Sequence, residues 1–389
     1  MEAMFSMRNL VDLHLGDVDE HTLALPPMLS GPLKHLDLWY KRTCQSAATD
    51  AALLHALTKH ARLRSLALHN FMPSEPSLYA PNATSRFPSL RHLSIVTNTA
   101  EALRFVSLFP QLSLLALVLN EASVPLAPSD FDTMPRWPLL KDLYAHTELA
   151  CMQHFVNRVE NVVLLRTMML GEVVALQVPL AAMLRAASPV RLSLSMWAEE
   201  STLNMLGLIL ATLPRLRTLN LRLQRIRDIA DAASEEQWLL RNVRLLGRLR
   251  LASLRLIVTF MDLASFDSPT PPQPEHERRT AAAVLLPVQL VQAIPTLRLL
   301  GVVSEYWSSA NATPRKEDDP SSADDAANQW YTSPWDKPIT RSQYHRRWWC
   351  TGEGAGLTEI SSKEAEKLMQ ELERSVISGC TPALSPARE

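Results

Sequence analysis

Glycine is scarce in this chain, at ten positions among 389 residues. That scarcity removes a class of chemistry, because loops that cradle phosphate need glycines at fixed spacing after a strand and before a helix. The stretch Gly352-Glu-Gly354-Ala-Gly356 neither follows a predicted strand nor ends in Lys-Ser/Thr. No catalytic triad or nucleophile elbow is recognisable either, so the expectation is a protein that is not an enzyme and needs no cofactor. Cysteine is equally sparse: Cys44, Cys151, Cys350 and Cys380 include no C-x-x-C pair, which argues against a zinc site or a disulfide framework. An excess of one charge is missing too. With 39 basic and 40 acidic residues, no global field draws the chain to nucleic acid or to an anionic membrane. The most apolar stretch, Val173 to Ala187, is shorter than the roughly 20 residues that span a bilayer, and Glu172 and Arg185 bound it. Met1 to Asp12 has neither a basic start nor an apolar run, so no secretory signal is predicted and a cytoplasmic or nuclear location is expected. On that expectation the sequons at Asn82 and Asn311 carry no consequence.

Leucine and proline, by contrast, are abundant and ordered. Pro214, Leu216, Leu219 and Leu221 form a P-x-L-x-x-L-x-L segment, and near-copies recur at Pro88/Leu90, Pro110/Leu112, Pro138/Leu140 and Pro295/Leu297. Copies without the proline begin at Leu10, Leu33, Leu63 and Leu251, and weaker ones at Val162/Leu165 and Pro189/Leu192/Leu194. The first positions run 10, 33, 63, 90, 112, 140, 162, 189, 216, 251 and 297, most steps being 22 to 30 residues. Within each copy the L-x-L alternation is a strand whose leucines share one face. One short strand cannot bury its leucines alone; stacked copies can, as a parallel sheet closed by helices. Apolar residues at three and four spacing predict helices over Asp50–Leu57, Ala100–Val106, Ser201–Leu208 and Glu236–Val243, with Asp50 and Ser201 as N-caps.

The period and the L-x-x-L-x-L core resemble leucine-rich repeats, which implies an α/β solenoid, a horseshoe with a parallel sheet on its concave face and helices outside. The copies are irregular. The asparagine that the motif places eight residues after its first leucine occurs here only as Asn98 and Asn120; Val18, Lys41, Phe71, Glu148, Gln224, Thr259 and Glu305 stand elsewhere. The turns must therefore close by other contacts. The solenoid is expected over 1–307, with an exposed Pro-rich insertion near 267–279. A disordered linker is expected over 308–328. Residues 329–389 then bring Trp330, Tyr331, Trp335, Tyr344, Trp348 and Trp349 among arginines, followed by the capping box Ser361-Ser-Lys-Glu364 of a final helix. An open solenoid end leaves apolar side chains and a strand edge unprotected, so this segment is expected to cap the last coil rather than to stack nucleic-acid bases.

Positions two, four and six after each first leucine give the face opposite the leucines. Early copies present Asp12, His14, His35, Asp37, Trp39, His69, His92, Asp142, Tyr144 and His146; later copies present Arg166, Arg191, Asn220, Arg222, Ser253 and Arg255. The predicted face is thus His, Asp and aromatic at one end and basic at the other, and it is the expected contact surface for a protein partner. Five of the eleven histidines lie there. Metal binding is nevertheless not expected, because His35 and His92 stand on copies separated by a third, with no Cys or Glu beside them.

The irregular repeats, the Pro- and acid-rich insertion, the Trp-rich stretch and the closing L-T-E-I-S-S-K-E-A-E helix together resemble the leucine-rich-repeat part of fungal F-box-type proteins. That resemblance implies a substrate-recognition subunit of a cullin-type ubiquitin ligase, with a ligase adaptor as a further partner. The first copy begins at Leu10, so the F-box itself is expected to be missing from this chain. The primary expectation is a protein–protein interaction module, and ligase receptor is the alternative. No nucleic-acid or membrane partner is expected.

Overall fold

Alternating leucines in a five- to ten-residue run favour extended backbone, and in the computed structural model every well-formed copy of the motif is a strand. The structure describes residues 9–26, 32–41, 46–74, 87–97, 102–119, 140–147, 150, 158–168, 170–197, 206–207, 209–210, 212–226, 246–247, 249–262, 287–308, 345–351 and 356–378. Asn98, Asn120, the Pro-rich insertion, the linker, the helix expected over Glu236–Val243 and the aromatics Trp330 to Tyr344 lie outside them. The chain is α/β and divides into two compact units, residues 1–166 with 178–189, and residues 167–177 with 190–389.

The first unit carries β1 (Asp12–Val18), β2 (His35–Tyr40), β3 (Ser65–His69), β4 (His92–Thr97), β5 (Leu114–Leu119), β6 (Asp142–Ala145) and β7 (Asn161–Met168), the last two residues of β7 belonging to the second unit. Each pairs in parallel with the next. The register stacks the leucines in two columns: Leu13, Leu36, Leu66, Leu93, Leu115, Leu143 and Val162 in one, and Leu15, Leu38, Leu68, Ile95, Leu117, Ala145 and Leu164 in the other. All are buried. Burying one leucine side chain contributes about 1.5–3 kcal/mol, too little to order an isolated strand, and the columns obtain that contribution once per coil. Between strands, α1 (Ala47–Lys59) inserts Leu53, Ala56 and Leu57, and the short α2 (Ala102–Phe105) inserts Leu103 and Phe105.

The N-cap of α1 is Ser46, whose hydroxyl accepts the Thr49 N–H at 3.2 Å. Asp50, expected as the cap, lies instead in the first turn, buried, and its carboxylate accepts the Ser74 N–H at 2.8 Å. The predicted cap was displaced because helix propensity extends through Ala47 and Ala48 to the nearest hydroxyl. An aromatic ladder joins successive coils, in which Tyr40 meets Phe71 (ring centroids 5.8 Å), Phe71 meets Phe105 (5.2 Å), Phe105 meets Phe109 (5.0 Å) and Phe109 meets Phe87 (5.7 Å), and Asn70, one residue before the motif's asparagine position, donates its Nδ2 to Tyr40 O at 3.2 Å. Phe71, at the asparagine position of its copy, donates its N–H to Val96 O at 2.9 Å and accepts the Thr97 hydroxyl at 2.6 Å.

The second unit carries β8 (Arg191–Trp197), β9 (Thr218–Ile226), β10 (Ser253–Asp262) and β11 (Leu299–Ser308), again parallel in sequence order. Its core columns are Leu192, Leu219, Leu254 and Leu300, and Leu194, Leu221, Leu256 and Val302. Helical residues 287–293 precede the β11 copy. β12 (His345–Thr351) then pairs antiparallel with β11, and β13 (Leu357–Ile360) antiparallel with β12. The final helix follows the capping box: Ser361 Oγ accepts the Glu364 N–H, and the Glu364 carboxylate accepts the Ser361 N–H at 2.8 Å. A longer helix, α3 (Leu170–Ala187), contributes residues to both units and contains Pro179; the final helix (Ser362–Ser378) is α4.

A backbone signature repeats in both units. One carbonyl before each strand accepts the two consecutive N–H groups that enter the next: Lys34 O takes Arg64 and Ser65, Arg91 O takes Ser113 and Leu114, Val190 O takes Arg217 and Thr218, and Arg217 O takes Ala252 and Ser253. Lys141 O takes Glu160 and Asn161 in the same way. The copy assigned to Val162/Leu165 therefore begins three residues earlier, at Val159, and its strand residues are Val162 and Leu164, paired with Leu143 and Ala145. The slip arose because Val162-x-x-Leu165 mimics the L-x-x-L spacing of the motif while the true pair, Val159 and Val162, contains no leucine.

Candidate functional site

Because side chains alternate along a strand, the register that aligns the leucines also aligns everything between them on the opposite face. In the first unit one row reads Asp12, His35, Ser65, His92, Leu114, Asp142 and Asn161, and the next reads His14, Asp37, Ala67, Ser94, Ala116, Tyr144 and Val163. Asp12, His14, His35 and His92 are exposed, and Asp37, Trp39, Asp142, Tyr144 and His146 half-buried. His69 is buried at 3% exposure.

Three strands meet in one polar cluster here. His14 Nδ1 lies 3.0 Å from Asp37 Oδ2, and His69 Nε2 lies 3.1 Å from Asp37 Oδ1, while the His69 ring stacks on Trp39 with centroids 3.9 Å apart and planes 7° from parallel. His35 Nε2 stands 3.8 Å from Asp12 Oδ1. Burial raises the Asp37 carboxyl pKa, but His69 and then His14 pull it further the other way, so it ends below the ordinary 3.8. Burial, helped by the neighbouring His35, lowers the His92 imidazole, with Asp142 opposing. The two oxygens of Asp37 are engaged by different imidazoles rather than converging with them, and among the described residues no three His, Cys, Asp or Glu side chains are placed to hold a metal ion. A cavity of about 410 Å³ lies away from this face, on the leucine side, with Leu57, Leu63, Phe87, Leu90 and Phe109 in its lining.

In the second unit the rows are Arg191, Thr218, Ser253 and Leu299; Ser193, Asn220, Arg255 and Gly301; and Ser195, Arg222, Ile257 and Val303. Arg191, Ser195, Asn220 and Arg222 are half-buried. Asn220 Nδ2 donates to Ser193 Oγ at 2.9 Å. Ser253 and Arg255, expected to be exposed, are buried at 1% and 6% exposure. Their cover is the C-terminal segment. Trp348, directly opposite Gly301 in the antiparallel pair, lays its indole over that glycine and against Arg255, whose guanidinium carbon is 5.6 Å from the ring centroid. Leu299, Trp348, Ala365 and Leu372 form one buried cluster, so α4 packs on the same face.

Most of the predicted face residues therefore share the face they were assigned to, in two separate groups. Three assignments need correction. Arg166, placed on the face by the misassigned copy, has the strand parity of the core residues Val162 and Leu164; Asn161, Val163 and Leu165 take the face positions instead. Arg255 and Ser253 are on the face but beneath Trp348 and α4. The missed contributors are Gly301 and Trp348. A signal for them was present: at the face positions of β11 the sequence turns apolar, with Leu299, Gly301 and Val303 where earlier copies carry Arg, Asn and Ser, which is the mark of a covered surface.

Comparison with protein-family models, with curated proteins and with solved structures gave no match. Among the described residues no helix is long and apolar enough to cross a membrane. Chemically, the two groups offer hydrogen-bond donors, acceptors and charge spread along strands, a pattern suited to reading an extended polar surface.

Proposed function

We propose that this chain is an irregular leucine-rich-repeat solenoid that binds a protein partner through the strand face opposite its leucine columns. The observation that carries the reading is the register itself. It places His14, His35, His92, Asp12 and Asp142 on one unit's face and Arg191, Asn220 and Arg222 on the other's, at positions where the fold requires no polar residue. Repeat proteins use such aligned strand faces for recognition, because a row of side chains at fixed spacing gives specificity without a deep pocket.

Affinity capture from a cell extract tests it. The intact chain should retain a defined partner that is lost with Arg191→Glu/Arg222→Glu or with His14→Ala/His35→Ala. Arg255 is a poor choice for this purpose, since its substitution removes support from Trp348. The fuller reading, a substrate receptor of a cullin-type ubiquitin ligase, rests on the resemblance alone; recovery of a ligase adaptor and cullin in the same capture would support it.

A further inference from the structure

The cavity of about 410 Å³ on the leucine side of the first unit draws its lining from successive coils. Leu57 and Leu63 come from the end of α1 and the approach to β3, Phe87 and Leu90 from the approach to β4, and Phe109 from the approach to β5. Leu57, Leu63, Leu90 and Phe109 are each at most 4% exposed and form the floor; Thr58, Ala61 and Pro88 are exposed and flank the mouth. Protein interiors hold few voids larger than one water molecule, and an apolar cavity of roughly 150 Å³ already admits benzene. One side chain interrupts the apolar floor. His60, the C-cap residue of α1, lines the cavity and is itself only 8% exposed. Its Nε2 lies 2.6 Å from Pro26 O, and since a carbonyl only accepts, Nε2 carries the proton. In the neutral ring Nδ1 is then an acceptor, turned away from Pro26. Among the described residues nothing donates to it, and it is not sealed inside the protein. The Thr58 hydroxyl at the mouth is already committed to Leu54 O at 2.7 Å.

We infer that this cavity is a binding site for a small aromatic alcohol, one or two rings bearing a hydroxyl whose O–H donates to His60 Nδ1. The ring body would lie on Leu57, Leu63 and Leu90 and beside the tilted pair of Phe87 and Phe109, whose centroids are 5.7 Å apart, and aromatic neighbours of that kind favour an aromatic guest. The hydroxyl follows from the unpaired acceptor. A hydrocarbon leaves His60 Nδ1 unmet, while a carboxylate has no proton to donate and would bring a charge among leucines and phenylalanines. A polypeptide segment fits less well, because each residue of its backbone brings a donor and an acceptor that need partners, and the floor offers none beyond His60. The site lies on the leucine side, so it is independent of the protein-binding role proposed for the opposite face.

The test is titration of the full chain with 2-naphthol, followed by the ligand's own fluorescence, beside naphthalene and 2-naphthoate. The expected result is saturable binding of 2-naphthol, at least about tenfold tighter than that of naphthalene, a difference of about 1.4 kcal/mol, with 2-naphthoate weaker than 2-naphthol. His60→Phe keeps a ring in place and removes the acceptor, so the preference for 2-naphthol over naphthalene should vanish. Because His60 also holds Pro26, Ala61→Trp serves as a second variant: it fills the mouth from an exposed position, should keep the parental thermal midpoint and should abolish binding of both compounds. Arg191→Glu/Arg222→Glu, on the opposite face of the sheet, should leave binding unchanged. The inference is overturned if 2-naphthol does not saturate, if naphthalene or 2-naphthoate binds as tightly, or if binding persists unchanged in Ala61→Trp.

Discussion

Gly301 and Trp348 face each other across the antiparallel pair of β11 and β12, so closely that a Cβ on Gly301 would lie 2.4 Å from the indole Cζ3. The glycine is needed for space rather than for an unusual backbone angle, and the indole it admits carries α4 onto the face. Gly301→Ala should therefore cost about 1–3 kcal/mol, the usual range for overpacking a filled site. Hydrogen exchange should rise across residues 345–378, and the double variant Gly301→Ala/Trp348→Ala should lose less than the sum of the singles. Unchanged protection would show that the indole has another seat.

Acid should weaken the first unit in two steps. His92 is held below its ordinary 6.5, so the unfolded chain takes its proton first and stability falls as pH drops below 6.5. Asp37 is held below 3.8; its contribution is complete above that value and is lost as pH falls through the lower folded value. His92→Gln should abolish the first decline and Asp37→Asn the second, followed by thermal midpoints across the acid range. A decline untouched by either substitution would assign it to other groups.

The aromatic ladder makes a sharper claim about how neighbouring coils pack together. Phe71→Ala removes a fully buried ring that touches both Tyr40 and Phe105, and should cost about 3–5 kcal/mol. A Phe71→Asn variant restores the motif residue and should remain destabilised, because the space is shaped for a ring. Recovery to parental stability in a denaturant titration would contradict this.

Capping offers a smaller test of local assignment. Ser46→Ala removes the acceptor for the Thr49 N–H and should cost about 1 kcal/mol, whereas Ser46→Asp should be nearly neutral. Equal loss in both would mean that the hydroxyl is not what holds the start of α1.

The strand positions and both leucine columns were legible in the sequence, because L-x-L alternation states the buried face outright. The face residues followed from the same parity wherever the copy was well formed, as at His14, Asp37, Asn220 and Arg222. Parity failed at Arg166, where Val159 and Val162 carry the repeat without a leucine and Leu165 offers a false one. It also failed to see depth. Nothing in the local pattern of Ser253-Leu-Arg255 says that Trp348, ninety-odd residues later, will lie over the arginine; only the apolar face positions of β11 hinted at a cover. Likewise, the convergence of His14 and His69 on Asp37 depends on the cross-strand register, which single strands do not encode.

The most direct test of the central claim is affinity capture from a cell extract, comparing the intact chain with the Arg191→Glu/Arg222→Glu and His14→Ala/His35→Ala variants after all three have been shown to fold with equal thermal midpoints. The account predicts a defined protein held by the intact chain and lost from at least one of the variants. The same protein held equally by all three would contradict it and place the contact away from the strand face.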